Sequence, residues 1–288
     1  MSQPSAFRIG GLGPFHLEDA MNTDRQPRFT SQQLADQITR HIEELAEETD
    51  AARVSEEMLR YLDMCAKFHS YSWCNTWLIL LACPYATQVA GFRSWQSLNR
   101  FVRKGERGIP ILAPILVNEK TEVGENNFHL RGFKVVYVFD VSQTDGEPLP
   151  ELPSWKNPEK NIELQRRLIA FSQKRGITVT EKVFSGEIQG VSRGGAIELS
   201  PHAGTATLIH EIAHEMLHKH AERLSMTREE KELEAEAVSY VVGKYFGLEV
   251  VTSANYIAMW SGGRDSILAH LEHISKTSEE IINALGNL

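Results

Sequence analysis

Residues 207–218 read TLIHEIAHEMLH, and the spacing of His210 and His214 leaves this stretch few ways to fold. On a helix, residues four apart lie on one face, so both imidazoles can reach one ion. Ile209, Ile212, Ala213, Met216 and Leu217 make an apolar stripe. The helix is therefore expected to be buried along one side, with its histidines at the edge of that face. Glu211, beside the first histidine, is placed to polarise a water molecule as a general base.

A catalytic zinc takes three protein ligands and leaves one position open. The next donors lie in ELEAE, at Glu232, Glu234 and Glu236, on a second helix. Glu232 is assigned as the third ligand. Glu236 shares its face one turn on and is expected to accept the free N–H of a ligand histidine. Glu234 points away. The plainer alternative is a solvated acidic face paired with Arg228 and Lys231; it is taken for Glu234 and set against the ligand reading for Glu232. His218 and His220 break the spacing and read as surface residues. The cofactor expected is Zn2+ or another divalent metal.

The chain of 288 residues, 42% hydrophobic and 24% charged, has apolar material for two cores. Residues 1–30 are rich in Gly, Pro and polar residues and read as a flexible arm. Helices are expected over 31–48, 51–68 and 71–82, then strands at 86–92, 108–117 and 133–141, with a short helix over 94–102. Four prolines and a glycine in SQTDGEPLPELPSWKNPEK mark 142–160 as a linker. Domains are therefore drawn at 31–150 and 151–288. The second domain reads as a helix at 160–175, strands in GITVTEKVF and GAIELS, the His-Glu-x-x-His helix, a helix over 228–247 and two or three short helices.

Net charge is −8. The acids alternate with bases along helices, which argues against DNA mimicry. Cys65, Cys74 and Cys83 form no Cys-x-x-Cys pair and read as reduced thiols. The N-terminus has no apolar signal segment, and the run 77–86 is too short to span a bilayer, so no membrane contact and a cytoplasmic location are expected. Against this acidic background FRSWQSLNRFVRKGER stands out. It carries Arg93, Arg100, Arg103, Lys104 and Arg107 against one acid, with Phe92, Trp95 and Phe101 interleaved. Cations for phosphates and rings for bases are what single-stranded nucleic acid requires. The alternative is a solvated helix whose aromatics belong to the core.

YSWCNTWLILLACPYATQVAGFRSWQSLNRFVRKGERGIPILAP, followed by VYVFDVSQTDGEPLP, resembles the N-terminal single-stranded-DNA-binding domain of the ArdC antirestriction family. TLIHEIAHEMLH, ELEAEAVSYVV and SANYIAMW resemble the zincin-like metallopeptidase domain that follows in that family, and are similar also to ImmA/IrrE peptidases. The likeness spans about 35–285. It implies an α+β chain of two domains: an N-terminal α+β ssDNA-binding domain and a C-terminal zincin-like metallopeptidase domain of gluzincin type. It also implies DNA, without strong sequence preference, and a protein or peptide substrate as partners, the substrate pairing with a sheet edge formed by GAIELSP. Three readings stay open. The chain is a DNA-protecting antirestriction protein with a zinc peptidase domain, an ImmA/IrrE-type peptidase cleaving a repressor or other regulatory protein, or a DNA-occupying protein with a structural metal.

Overall fold

The computed structural model describes residues 7–9, 12–15, 29–48, 51–120, 126–149, 158–218, 226–250 and 264–286. Mixed helix and sheet divide into two compact units, residues 1–42 with 73–151 and residues 43–72 with 152–288. The boundary drawn at 150 lies one residue from the division after Glu151, but 43–72, assigned above to the first domain, goes with the second unit.

In the first unit, two short antiparallel strands, β1 (Phe7–Ile9) and β2 (Leu12–Phe15), occupy part of the stretch read as an arm. Helix α1 (Ser31–Glu47), whose last turn falls after the division at Ile42, starts at a reciprocal cap: Thr30 N–H donates to Gln33 Oε1 at 2.8 Å and Gln33 N–H to Thr30 Oγ1 at 3.1 Å. Its Leu34, Ile38, Ile42 and Leu45 are buried at helical spacing. Past the helix 51–67, which belongs to the other unit, comes α3 (Trp73–Ala82), ending ahead of Pro84.

Strands β3 (Val89–Gly91), β5 (Ile109–Lys120) and β6 (Asn126–Asp140) form an antiparallel sheet with β6 in the middle. Pro110 and Pro114 do not interrupt β5, because it is an outer strand with one side free of ladder bonds. Buried Asn75 of α3 occupies part of that free side: its side chain donates to Leu112 O and accepts from Leu112 N–H, each at 2.9 Å.

The short helix read over 94–102 is instead α4 (Phe92–Ser97) followed by β4 (Arg100–Val102). Strand β4 pairs with β7 (Thr144–Gly146). The stretch read as a linker is thus folded over its first part. Gly146 at φ 138° lies so close that a Cβ there would meet Asn99 O at 2.2 Å. Leu149 packs against the Trp95 cluster. Residues 150–157 lie outside the described residues. Buried Asp140 ties this corner together, accepting from Thr87 and Gln88 N–H on one oxygen and from Ser142 N–H on the other.

The second unit holds α2 (Ala51–Lys67), α5 (Pro158–Lys174), α6 (Thr205–Leu217), α7 (Arg228–Tyr245) and α8 (Arg264–Gly286). Helix α2 joins this unit through α7: Tyr240 O–H donates to Asp63 Oδ1 at 2.9 Å and Lys244 lies 3.6 Å from the same oxygen. Its sheet has the order β8 (Thr178–Glu181), β10 (Ala196–Leu199), β9 (Gly190–Ser192). Strand β10, in GAIELSP, is therefore the middle strand and not the edge expected for it; β8 and β9 are the outer strands, and β9 is the one that lines the cleft described below. One helix of 23 residues, α8, stands where short helices were expected, and SANYIAMW lies outside the described residues. Among the described residues no helix is long and apolar enough to cross a membrane.

Candidate functional site

Helix α6 buries Leu208, Ile209, Ile212, Ala213 and Leu217, which turns His210 and His214 toward a cleft. Helix α7 starts at a capping box, with Thr227 Oγ1 accepting from Glu230 N–H and Glu230 Oε2 from Thr227 N–H. That start places Glu232 in the second turn. Ser239 Oγ donates to Ala206 O at 2.9 Å and fixes α7 against α6.

The result is a group of three donors. His210 Nε2 and His214 Nε2 are 3.0 Å apart, and Glu232 Oε2 lies 3.3 Å from the first and 3.5 Å from the second. Ligands at zinc distances in a tetrahedron stand roughly 3.3 Å apart, so the donor set fits a small divalent ion with a face left open. Hydrogen bonds from His210 and His214 hold the Glu232 carboxyl well below the usual carboxylate range. Burial opposes protonation of His210, but the Glu232 hydrogen bond and the charges of Glu211 and Glu236 outweigh it and raise its pKa. Glu211 is buried against the strand side of the cleft and accepts a backbone hydrogen bond from Ser192. Burial pushes its carboxyl up, against the pull of both histidines. Glu236 Oε2 is 3.7 Å from His210 Nδ1, a charge contact and not the hydrogen bond expected of it.

Two residues read as solvated are interior. Glu234 is 0% exposed and accepts from His218 Nε2 at 3.0 Å and His270 Nδ1 at 2.6 Å. His218, with a side chain 7% exposed, also meets His214 Nδ1 at 3.0 Å. Glu234 is enclosed against His270 of α8, whereas His218, set aside above by its spacing from His214, lies at the cleft wall with its ring turned to Glu234. His220 lies outside the described residues.

The cleft has a volume of about 720 Å³. Ile188, Gly190 and Val191 line one side, and Arg228, Lys231 and Glu232 the other. Its strand wall is held by Glu215, a buried residue that the sequence reading passed over. Oε1 accepts from Ser192 Oγ, Arg193 N–H and Gly194 N–H, and Oε2 from Gly195 N–H, at 2.5 to 3.1 Å. Gly194 and Gly195 both have positive φ, which points consecutive N–H groups at one carboxylate.

In the first unit the basic segment separates into parts. Trp95 is corrected from a DNA contact to a core residue: it is 0% exposed and its Nε1–H donates to Phe139 O at 2.9 Å, so neither ring face is free to stack on a base. Arg100 is corrected likewise. Its guanidinium binds Thr144 Oγ1, Thr144 O, Gly146 O and Glu147 O, which fixes β4 to β7. Arg103 is shared between Glu106, Asp145 and Ser142 O, with a side chain still 42% exposed. Arg93, Lys104 and Arg107 are exposed. Phe101, for which a core position stood as the alternative, is 58% exposed. The alternation along β4, with Arg100 and Val102 turned inward, was the signal that could have shown it.

Residues 29–171 match the family described as the N-terminal domain of the anti-restriction factor ArdC. An uncharacterized protein of Bacillus anthracis is 25% identical over 281 residues, covering 80% of this chain and 48% of that protein. The chain thus spans about half the length of this curated relative. The crystal structure of the antirestriction protein ArdC from plasmid R388 is 19% identical in both its forms. The metal-free form matches with a TM-score of 0.45 over 76% of this chain and 86% of that one, and the Mn(II)-bound form with 0.48 over 89% and 96%.

Proposed function

The chain belongs to the ArdC-like antirestriction family, and from this we propose that it protects DNA, binding single strands through its first unit and carrying a metal-dependent peptidase centre of zincin type in its second. The observation that carries the second half is the convergence of His210, His214 and Glu232 next to a buried Glu211. A structural site has no use for a buried carboxyl group beside its ligands. When bound, the ion, which we take to be zinc, supplies Lewis-acid polarisation of a carbonyl. Glu211, raised by burial, takes the proton of the attacking water and hands it to the leaving amine. The free edge of β9 supplies backbone groups along which an extended peptide can pair.

For DNA, Lys104, Arg107, Arg93 and the exposed part of Arg103 supply phosphate contacts and Phe101 the stacking ring. A ring presented in this way favours unstacked, single-stranded bases. A reducing, cytoplasmic location belongs to this reading, in keeping with Cys65 buried as a free thiol. The second reading, an ImmA/IrrE-type peptidase cleaving a repressor, is favoured by the open cleft beside β9; there the first unit serves for targeting.

The test is elemental analysis of the purified chain after separate reconstitution with zinc and manganese. One divalent ion per chain is expected, lost in His210→Ala and Glu232→Ala and kept in Glu211→Gln, since Glu211 is not one of the three converging donors. A wild type that takes up neither metal removes the metal centre.

A further inference from the structure

Glu232 and Glu234 are two residues apart on α7 and leave it on different faces. Glu232 enters the cleft half-exposed, and Glu234 is fully enclosed between α6 and α8. A buried carboxylate is costly unless it is well partnered, and its neighbours along the same helix, Leu233, Ala235 and Val238, fill their sites with apolar atoms. The partners of Glu234 lead back to the metal centre. His218 Nε2 is 3.0 Å from Glu234 Oε2, and His218 Nδ1 is 3.0 Å from His214 Nδ1. On the far side, His270 Nδ1 meets Glu234 Oε1 at 2.6 Å and His270 Nε2 lies 3.3 Å from Ser266 Oγ.

The hydrogen-bonding roles along this series are determined from its buried end. A carboxylate only accepts, so His218 must present Nε2–H to it. In the neutral ring Nδ1 is then a bare acceptor. The group facing it, His214 Nδ1, has to be the donor, because the opposite assignment would set two lone pairs against each other at 3.0 Å in a buried space. A neutral His214 with its proton on Nδ1 has a bare Nε2, the nitrogen 3.0 Å from His210 Nε2 and 3.5 Å from Glu232 Oε2.

We infer that Glu234, acting through His218, is a positioning residue of the metal centre: it fixes His214 in the Nδ1–H tautomer, so that a lone pair on Nε2 faces the donor group before any ion arrives. Helix α7 then serves the centre twice, directly through Glu232 and from beneath through Glu234. The inference rests on the proposed metal centre for its use, but the tautomer can be read without a metal.

The experiment is a long-range ¹H–¹⁵N correlation of the imidazoles in the metal-free, full-length protein, followed by zinc affinity measured against a chromogenic chelator. The expected result is His214 protonated on Nδ1 and bare on Nε2, with His218 protonated on Nε2. His218→Phe fills the site but offers no acceptor. It should release His214 into a mixture of tautomers and weaken zinc binding by about 10- to 100-fold, the usual range for loss of such a partner. His218→Gln supplies an amide oxygen toward His214 and an N–H toward Glu234, and should restore both readouts; a merely space-filling role would show no such order among the variants. A wild-type His214 carrying its proton on Nε2 overturns the inference, and it does so even if His218→Phe fails to fold. Equal zinc affinity in wild type and a folded His218→Phe also overturns it. Absence of zinc binding in the wild type, with the tautomers as expected, counts against the proposed metal centre and leaves the positioning geometry in place.

Discussion

Gly190 shows how closely Glu211, the proposed general base, is seated. A Cβ there would stand 2.8 Å from Glu211 Cγ and 2.9 Å from Oε1, closer than carbon atoms approach. Gly190→Ala is expected to swing the carboxyl off its position while His210, His214 and Glu232 keep their places. Metal stoichiometry should be unchanged, while hydrolysis of a general protein substrate such as casein falls by up to about 10²-fold, the scale of a displaced acid–base group. Loss of the metal instead would mean that the strand wall and the ligands move together. His69 gives a prediction on pH. Burial holds its pKa at about 4 against 6.5, only partly offset by a hydrogen bond to Asn283, and its ring packs on Tyr245 at 4.7 Å. A histidine depressed in the folded state stabilises it fully above 6.5, and this contribution is lost as pH falls toward 4. The loss amounts to roughly 3 kcal/mol at most. His69→Phe should keep the ring contact and flatten the melting temperature over that window; a slope equal to the wild type's would assign acid lability to other groups. At this scale the sequence is informative where chemistry follows helical spacing. His210, His214 and Glu232 could be read from it because four residues and one turn place donors together. Glu234 and His218 could not, because periodicity says which face a residue takes and not what is packed against that face.

Among the elements, the turn after β9 depends most on one side chain. Glu215 receives three backbone N–H groups and a hydroxyl from residues 192–195. Removing the carboxylate leaves several donors without a partner at once. Glu215→Ala is expected to destabilise the protein by about 2–3 kcal/mol, the range for charge-assisted bonds. It should also loosen β9, seen as faster amide exchange at 190–195 than elsewhere in the unit. Uniform exchange across the second unit would assign Glu215 a global role instead of a local one. The same region explains why β9 and β10 were misjudged. β9 has three residues, GVS, too few to show alternation. β10 reads as a strand from its own residues, but whether a strand is central or at the edge depends on partners distant in the chain. Pro110 and Pro114 in β5 show the converse: a local signal for interruption is harmless where the outer side of the strand makes no ladder bonds. The stretch 142–149 was misread through composition, because Gly146 is present to let β7 approach Asn99, not to loosen the chain.

Taken over the whole molecule, the residues proposed for DNA and those proposed for metal belong to different units: 93–107 to the first and 210–232 to the second. If DNA binding resides in the first unit, removing the ion should leave affinity for a mixed-sequence single strand unchanged. Anisotropy titrations with and without chelator measure this directly. Phosphates carry no base information, so affinity should be nearly independent of sequence. It should fall with salt at a log–log slope of about −0.7 for each phosphate contact. Replacing Lys104 and Arg107 together by Ala should flatten that slope by about one to two, because each removes a contact without disturbing a hydrogen bond of the corner. Arg100→Ala is a different experiment. Its guanidinium holds β4 to β7, so weaker binding there should be accompanied by a lower melting temperature. Phe101→Ala separates stacking from charge: with the ring 58% exposed, it should cost about 1–3 kcal/mol of binding at constant salt slope and constant melting temperature. Affinity unchanged in both the double charge variant and Phe101→Ala would remove this segment from the interface, and the corner built by Asp140 and Arg100 would then stand as a folding device of the family domain and nothing more.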